Sequence, residues 1–325
     1  MPRSRNVSDP SRVLITGANG HLGRRLIGRL APQTPVTAVV RSSAARRSLE
    51  PAPPGVAIVE LDYRDSAALS AAAVGCSVCV HLVGILKETA HGRYVDAHEG
   101  VTRAVVAAAR AQRLARIVDV SILGADPASP NAALASKGRA ERILFDAGVP
   151  ATVLRVPMVI GEHDHAARAL RRLAYARVAW LVRGASREQP IYAGDVVEAI
   201  VAAAANRDRA NHAVDLAGPE SLSRHALVER AAALAGRRVR CVSIPLAPML
   251  ALARLLERLW ANPPFTAAML GVLDHDDCID SRTAAAELGI RLTGVDEMLR
   301  RCVVSPNGSP NGTPIGSPND SRGKH

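Results

Sequence analysis

Three glycines at three-residue spacing, Gly17, Gly20 and Gly23, are the residues best suited to bind a ligand. They follow a short aliphatic run that ends at Thr16, and a helical pattern of apolar residues begins beyond them. Such a turn binds phosphate, because glycine lets the backbone approach a pyrophosphate and the helix N-terminus offers free N–H groups. The sequence therefore predicts a dinucleotide site. The contacting residues expected in this turn are Gly17, Asn19, Gly20, His21, Leu22 and Gly23.

The end of the second predicted strand carries a positive charge. This strand runs from Val36 to Arg41, and Arg41 stands where NAD-binding folds often place an Asp or Glu for the ribose 2′-hydroxyl. A guanidinium suits a 2′-phosphate and gains nothing from a bare hydroxyl. The sequence therefore favours NADP(H) over NAD(H). The alternative is an arginine that is simply solvated at a strand end.

Two later strand ends complete the predicted cofactor site. The third strand, Val56 to Leu61, is followed by Asp62. This carboxylate either accepts from the exocyclic amine of adenine or caps the helix from Ser66 onward. The fourth strand, Ser77 to Val83, is almost wholly apolar, as expected for a parallel strand buried on both faces. At its end the residues expected against the cofactor are Leu82, Val83 and Gly84.

Strands and helices alternate along the first half of the chain. Further strands are predicted from Arg116 to Ser121 and from Ala151 to Val156, with helices within 92–113 and over 132–147. This alternation predicts a parallel sheet with right-handed crossovers. The fold class is therefore α/β, a doubly wound parallel Rossmann sheet with a smaller C-terminal α/β lobe.

Three regions are predicted along the chain. Residues 12–160 form the dinucleotide-binding domain, residues 161–303 a smaller lobe interwoven with it, and residues 304–325 a disordered tail. In the lobe, His212 to Leu216 is expected to be a strand, and Asp195 is expected to be a helix N-cap. The tail repeats Ser-Pro-Asn-Gly, and nothing in this composition can build a core.

Composition and charge narrow the function classes. The chain has 325 residues, 48% of them hydrophobic, which is enough to bury a large core. Its formal net charge is +11, but the arginines are dispersed and only 2% of the residues are aromatic, which argues against nucleic acid as a partner. The five cysteines favour a reducing compartment over a disulfide framework. His163 and His165 lack further ligands, so no metal site is expected.

One predicted helix is a candidate for contact with a partner. In residues 248–260 several apolar side chains share one face, namely Met249, Leu252, Leu256, Leu259 and Trp260. This face would contact a protein partner or a membrane surface, unless the helix simply closes the small lobe. No apolar run reaches the roughly 18 residues of a membrane span. We expect a cytoplasmic protein that is at most peripheral to the inner membrane.

Several stretches resemble the short-chain dehydrogenase/reductase superfamily. Besides the glycine turn, they include Ser121 at the end of the fifth strand and Lys137 in the next helix. The chain is most similar to an atypical, epimerase/dehydratase-like branch that includes the accessory subunit of respiratory complex I and its bacterial relatives. The segments that carry this similarity, in the same order, are residues 120–126, 154–157, 189–196, 216–220 and 262–266.

The resemblance implies a set of catalytic residues, one of which is missing here. Catalytic members use a Tyr four residues before the Lys as the group that moves the proton, and a Ser that helps hold the substrate oxygen. Ser121 and Lys137 match this pattern, but the Tyr position holds Ala133. Lys137 is still expected to hydrogen-bond a ribose hydroxyl of the cofactor.

Two hypotheses about function follow. In the first, the protein binds NADP(H) and has a structural, assembly or redox-sensing role, as the resemblance to the complex I accessory branch implies. In the second, it is an NAD(P)-dependent oxidoreductase or a nucleotide-sugar epimerase or dehydratase. Tyr94, Tyr192 or a water would then replace the missing phenol. Ala133 favours the first hypothesis.

Overall fold

The structure of this chain is a computed structural model, and it describes residues 12–304 except residues 90, 91, 261, 273 and 275. The predicted tail, apart from Val304, lies outside the described residues. The strands are β1 (Val13–Thr16), β2 (Val36–Val40), β3 (Val56–Glu60), β4 (Val78–His81), β5 (Arg116–Ile122), β6 (Ala151–Val156), β7 (Val159–Ile160), β8 (Val178–Val182), β9 (Arg187–Glu188), β10 (Ile191–Tyr192), β11 (His212–Asp215), β12 (Leu222–Ser223) and β13 (Arg240–Ile244).

The helices begin directly after the glycine turn. They are α1 (His21–Leu30), α2 (Ser43–Arg47), α3 (Ser66–Ala72), α4 (Val101–Ala111), α5 (Ala132–Phe145), α6 (His165–Ala174), α7 (Ala193–Ala205), α8 (Arg224–Leu234), α9 (Leu246–Leu259), α10 (Ala267–Gly271), α11 (Ser281–Leu288) and α12 (Val295–Leu299). Two π-helical segments, Val95–Gly100 and Arg300–Val304, adjoin α4 and α12.

A seven-stranded parallel sheet organises the described chain, in the order β11-β6-β5-β4-β1-β2-β3. Strands β1, β2 and β4 are buried along their whole length, because helices cover both faces of the sheet. Apolar side chains on the two faces form separate core clusters. The doubly wound Rossmann fold predicted from the alternating pattern is therefore confirmed.

The position of β11 differs from the prediction. The strand expected in the small lobe pairs in parallel with β6 and forms the seventh strand of the main sheet. Its side chains alternate between half-buried and exposed, as befits an edge strand with one partner. Helix α7, which precedes β11, packs on the main sheet, because its Val196 and Ile200 belong to the same core cluster as Val13 of β1. The division of the chain at residue 160 stays a prediction.

The expected N-cap at Asp195 is wrong. Helix α7 begins two residues earlier, at Ala193, because β10 pairs with β7 up to the helix start. The Asp195 carboxylate instead accepts from the Thr293 N–H at 2.7 Å and from its hydroxyl at 2.8 Å. It ties the C-terminal segment to α7, and burial raises the pKa of this carboxyl.

The outward face of α9 also differs from the predicted one. Met249 and Leu256, which were predicted to lie on this face, are half-buried. Glu257 accepts from the Ala267 N–H at 2.8 Å. The large apolar side chains that face solvent are Leu252, Leu255, Leu259 and Trp260, which are 42%, 51%, 67% and 58% exposed. We call these four residues the outer face of α9.

Gly23 lets α1 pack against the turn that precedes it. A Cβ at this position would lie 2.5 Å from the Ala18 carbonyl oxygen and 2.7 Å from its carbonyl carbon. Because these atoms belong to backbone beside fully buried β1, they cannot move aside cheaply. Gly28, on the same helix, has open space around its would-be Cβ.

We predict opposite effects of alanine at these two glycines. Gly23→Ala should destabilise the protein by about 1–3 kcal/mol, since overpacking forces the helix away from the sheet. Gly28→Ala should stabilise it by about 0.5–1 kcal/mol through helix propensity. Urea unfolding of both variants measures the difference, and equal stabilities would contradict the packing role of Gly23.

Candidate functional site

The glycine turn meets the end of β4 at van der Waals distance. Gly17 has φ +71°, in the left-handed region that favours glycine. A Cβ there would lie 3.0 Å from the carbonyl carbon and oxygen of Leu82. The Gly20 N–H donates to the Gly17 carbonyl at 2.9 Å, and Gly20 is the extended N-cap of α1. The turn thus brings the helix N-terminus to the carboxyl edge of the sheet.

A cavity of about 510 Å³ opens at this edge. The predicted cofactor residues that line it are Gly17, Asn19, Gly20, Arg41, Asp62, Leu82, Val83 and Gly84. His21, Leu22, Gly23 and Lys137 are not among the lining residues. The structure therefore brings eight of the twelve predicted residues together around one space. Their individual roles as ligands stay predictions.

Arg41 has a guanidinium that is available to a ligand. The side chain is exposed, lines the cavity, and makes no hydrogen bond or ion pair with any described residue. Ser42 beside it caps α2, accepting from the Ala45 N–H. By contrast Arg46, one turn along, donates to Glu50 and to the Ile58 carbonyl. Of these two arginines, Arg41 is the one free to bind a phosphate.

Asp62 does not cap the following helix. The N-cap of α3 is Asp65, whose carboxylate accepts from the Ala67 and Ala68 N–H groups. A cap must directly precede the first helical residue, and Asp62 lies too early. Its carboxylate pairs with Arg64 at 2.9 Å, and this hydrogen bonding lowers the pKa of Asp62. The capping alternative is therefore wrong, whereas contact with adenine stays a prediction.

Tyr63 is a site residue that the sequence reasoning missed. Its hydroxyl accepts from the Gly17 N–H and donates to the Val39 carbonyl, both at 3.1 Å. The side chain is 6% exposed, and burial raises the pKa of the phenol. It thereby fixes the first glycine of the turn to the end of β2. Its only sequence signal was its place after a strand, in a chain with four tyrosines.

The π-helical segment also lines the cavity and was not expected. Its Asp96 and Ala97 face the space, together with Arg64 and Gly92. His98 in the same segment accepts from the Ile85 N–H at 3.2 Å and holds the chain beyond Gly84 in place. Burial lowers the pKa of His98 to about 3, so this imidazole is neutral at physiological pH. Residues of this kind carry no signature in a single sequence.

Lys137 lies directly behind Gly84. Its ammonium donates to the Val120 carbonyl at 3.0 Å and lies 3.8 Å from the Asp119 carboxylate. A Cβ at Gly84 would be 3.8 Å from the Lys137 side chain. Asp119 is fully buried, and burial raises the pKa of its carboxyl. Lys137 thus contacts Gly84, which borders the cavity, but does not itself line the cavity.

Ser121 is directed away from the cavity. It is 4% exposed, and its hydroxyl donates to the Glu141 carboxylate. Glu141 in turn pairs with Arg155 at 2.6 Å. The structure therefore does not bring Ser121 to the cavity with the glycine turn, and its role toward a substrate stays a prediction.

Three of the four tyrosine hydroxyls are hydrogen-bonded to other groups of the chain. Tyr63 is bound to the glycine turn, as described above. The Tyr94 hydroxyl donates to the Leu86 carbonyl at 2.9 Å, and that of Tyr192 to Glu162 at 2.6 Å. The Tyr175 ring lies beneath the guanidinium groups of two arginines. Neither Tyr94 nor Tyr192 lines the cavity.

Two further features of the described residues bear on function. No group of three or more His, Cys, Asp and Glu side chains is placed to hold a metal ion within them. In the predicted pair of histidines, His163 and His165 flank Asp164, which caps α6. Over the same residues, none of the helices has the length and apolar character needed to cross a bilayer.

The chain is similar to subunits of a respiratory enzyme. It is 25% identical over 292 residues to the mitochondrial NADH dehydrogenase (ubiquinone) 1 alpha subcomplex subunit 9 of Arabidopsis thaliana. The match covers 87% of this chain and 73% of that relative. The predicted resemblance to the branch that contains the complex I accessory subunit is therefore confirmed.

Solved structures show the same fold. NADPH-dependent quinone oxidoreductase QOR2 of Escherichia coli, complexed with NADPH, matches with a TM-score of 0.70 at 22% identity. The match covers 88% of this chain and 98% of that one. MoeE5 in complex with UDP-glucuronic acid and NAD also gives a TM-score of 0.70, at 19% identity over 90% of this chain and 98% of its own.

A family model described as NAD(P)H-binding matches residues 17–204. The matched region begins at the first glycine of the turn and includes every residue that lines the cavity. The chain belongs to this NAD(P)H-binding family, and it is a Rossmann-type protein of the short-chain dehydrogenase/reductase kind.

Proposed function

We propose that this protein holds NADP(H) as a bound cofactor and serves a structural, assembly or redox-sensing role without the standard catalysis of its superfamily. The observation that carries the proposal is the alanine at position 133, four residues before Lys137. Bound NADP(H) can supply a hydride. The superfamily's Tyr position holds Ala133, so no phenol stands four residues before Lys137 to move the accompanying proton. Loss of a positioned general acid typically costs about 10²–10⁴ in rate.

The preference for NADP(H) rests on Arg41. The guanidinium borders the cavity at the end of β2, where the ribose of a dinucleotide would lie, and no described side chain neutralises it. Arg64 borders the same space, but its charge is balanced by Asp62. A 2′-phosphate would provide the anion that Arg41 lacks, whereas a hydroxyl would not.

We predict that Arg41→Ala lowers the affinity for NADPH by about 10- to 100-fold, the value of a charge-assisted hydrogen bond of roughly 1.5–3 kcal/mol. The affinity for NADH should be unchanged, because that cofactor lacks the 2′-phosphate. Arg46→Ala, which removes a nearby arginine with partners of its own, is the matched control. Calorimetric titration measures all six affinities. Equal binding of NADH and NADPH by the unchanged protein would refute the 2′-phosphate argument.

The competing function is that of an oxidoreductase with an unusual proton donor, and the likeness in fold to quinone oxidoreductase QOR2 makes quinones the natural acceptors to test. We predict that the protein oxidises NADPH in the presence of quinones no faster than the uncatalysed mixture. Stopped-flow absorbance at the NADPH band measures this rate. A rapid oxidation that Lys137→Ala slows by about 10² or more would instead establish the enzyme hypothesis.

An assembly role requires a surface for a partner, and the outer face of α9 provides one. It presents three leucines and a tryptophan to solvent, although this chain contains only two tryptophans. Leu86, 79% exposed, lies close by, because Lys87 donates to Asn262 and to the Pro263 carbonyl just beyond α9. Clustered exposed apolar residues of this size typically mark an interaction surface. Since the relative from Arabidopsis is named as a subunit, we propose a protein partner over a membrane surface.

We predict that the double variant Leu255→Glu and Leu259→Glu abolishes this association but leaves NADPH binding intact. Carboxylates on the outer face of α9 oppose the burial of this face in an apolar interface. Native electrophoresis of gently solubilised cells should show the unchanged chain in a high-mass complex and the variant at monomer mass. Ala247→Glu, exposed elsewhere on α9, is the control. Retention of the complex by the double variant would contradict the assignment, and binding to anionic vesicles alone would assign the face to lipid.

A further inference from the structure

A second cavity, of about 470 Å³, lies at the opposite edge of the central sheet from the cofactor cavity. It is bordered by the amino ends of β1 and β4 and by the facing sides of α1 and α7. The first cavity is at the carboxyl ends of the same parallel strands, so the two spaces are separated by the length of the sheet. A ligand in one would not touch a ligand in the other.

The inner surface of this cavity is apolar. Leu30 of α1 and Val201 and Ala204 of α7 line it and are half-buried. Leu26 and Ile200 stand behind them and are fully buried in the core. The walls therefore belong to well-packed helices, and the volume is within the range of small-molecule sites, which are mostly apolar with a few polar groups.

The mouth of the cavity carries two arginines that have no partner among the described residues. Arg207 and Arg209 line it, and neither guanidinium forms a hydrogen bond or ion pair with a described residue. Of the other charged residues that line the cavity, Arg29 pairs with Glu198 at 2.7 Å, and the Asp208 carboxylate lies 2.9 Å from the His212 ring. Asp208 adds one negative charge to the lining, against the two arginines beside it. The two free arginines are thus the groups that a ligand would meet.

A buried arginine supports this mouth from below. Arg116 is 2% exposed, and its guanidinium donates to the Thr152 hydroxyl at 2.6 Å and to the Asn206 carbonyl at 3.2 Å. Its third partner is the Asp208 carbonyl. All three acceptors are neutral; burial lowers the pKa of Arg116, and the nearby Asp208 carboxylate opposes this shift. Arg116 therefore holds the loop that carries Arg207 and Arg209.

We infer that this cavity binds an amphipathic anion, a saturated alkyl chain that ends in a single carboxylate or phosphate. The alkyl chain would lie on Leu30, Val201 and Ala204, and the head group would pair with Arg207 and Arg209. A neutral chain would lose the ion pairs, and a short anion would lose the apolar contact. The inference is independent of the role proposed for the cofactor site.

Calorimetric titration of the full chain with decanoate tests the inference, with decyl phosphate, butyrate and the neutral decanamide as comparisons. We expect decanoate or decyl phosphate to bind about tenfold or more tightly than butyrate and decanamide. The stronger of the two identifies the head group. Saturating NADPH should leave this affinity unchanged, because the two cavities lie at opposite edges of the sheet.

Variants locate the binding site. The double variant Arg207→Gln and Arg209→Gln should weaken decanoate binding about tenfold or more, whereas Arg282→Gln, another exposed arginine, should not change it. Ala204→Trp, which fills the cavity, should abolish binding. If Ala204→Trp fails to fold, the double variant Arg207→Gln and Arg209→Gln still tests the inference, because both arginines are exposed. The inference would be overturned if decanoate did not bind, or if it bound equally well to the double variant that lacks both arginines. Loss of binding in Leu255→Ser would also overturn it, because the ligand would then bind to the outer face of α9.

Discussion

The close approach of Gly17 to Leu82 is the constraint on which the rest of the site depends. Only a residue without a Cβ can adopt the left-handed φ of +71° while the carbonyl of Leu82 lies within van der Waals contact. This approach lets β1 and β4 pair side by side and brings the start of α1 to the edge where the cavity opens. Tyr63 then secures the turn from the other side, through the Gly17 N–H and the Val39 carbonyl. The turn is therefore held in place by backbone contacts, and Arg41 borders the same cavity as an exposed side chain.

The residues around this cavity match only part of the set that the resemblance to the superfamily implies. Lys137 remains behind Gly84, held by the Val120 carbonyl and near Asp119. Position 133 has no phenol, and Ser121 is bound to Glu141 within the core. A relative named as an NADH dehydrogenase subunit is similar in sequence, and a structure of a quinone oxidoreductase has the same fold. Fold alone therefore does not decide between holding and using a cofactor, and our proposal of a non-catalytic role depends on the alanine at position 133.

The sequence predicted most of the sheet, because buried strands appear as apolar runs and the three glycines of the turn recur at three-residue spacing. It failed where contacts distant in the chain decide. Strand β11 is short and half-exposed, so only its pairing with β6 reveals that it belongs to the main sheet. The start of α3 at Ser66 was predicted correctly, but its cap is Asp65, the residue directly before it, and not Asp62. Tyr63 and His98 gave no signal, since their roles are hydrogen bonds to the backbone of other segments. For α9 the helical spacing of the apolar residues was visible in the sequence. The sequence did not show which of these residues pack against the rest of the protein.

The central claim is that the protein retains its cofactor and does not turn it over. Native mass spectrometry of the purified chain, loaded with NADPH and then incubated with a quinone, tests this claim most directly. The account predicts one NADPH for each chain, still reduced after incubation. A chain that retains no dinucleotide would contradict the first half of the claim. Conversion of the bound NADPH to NADP⁺ with stoichiometric reduction of the quinone would contradict the second.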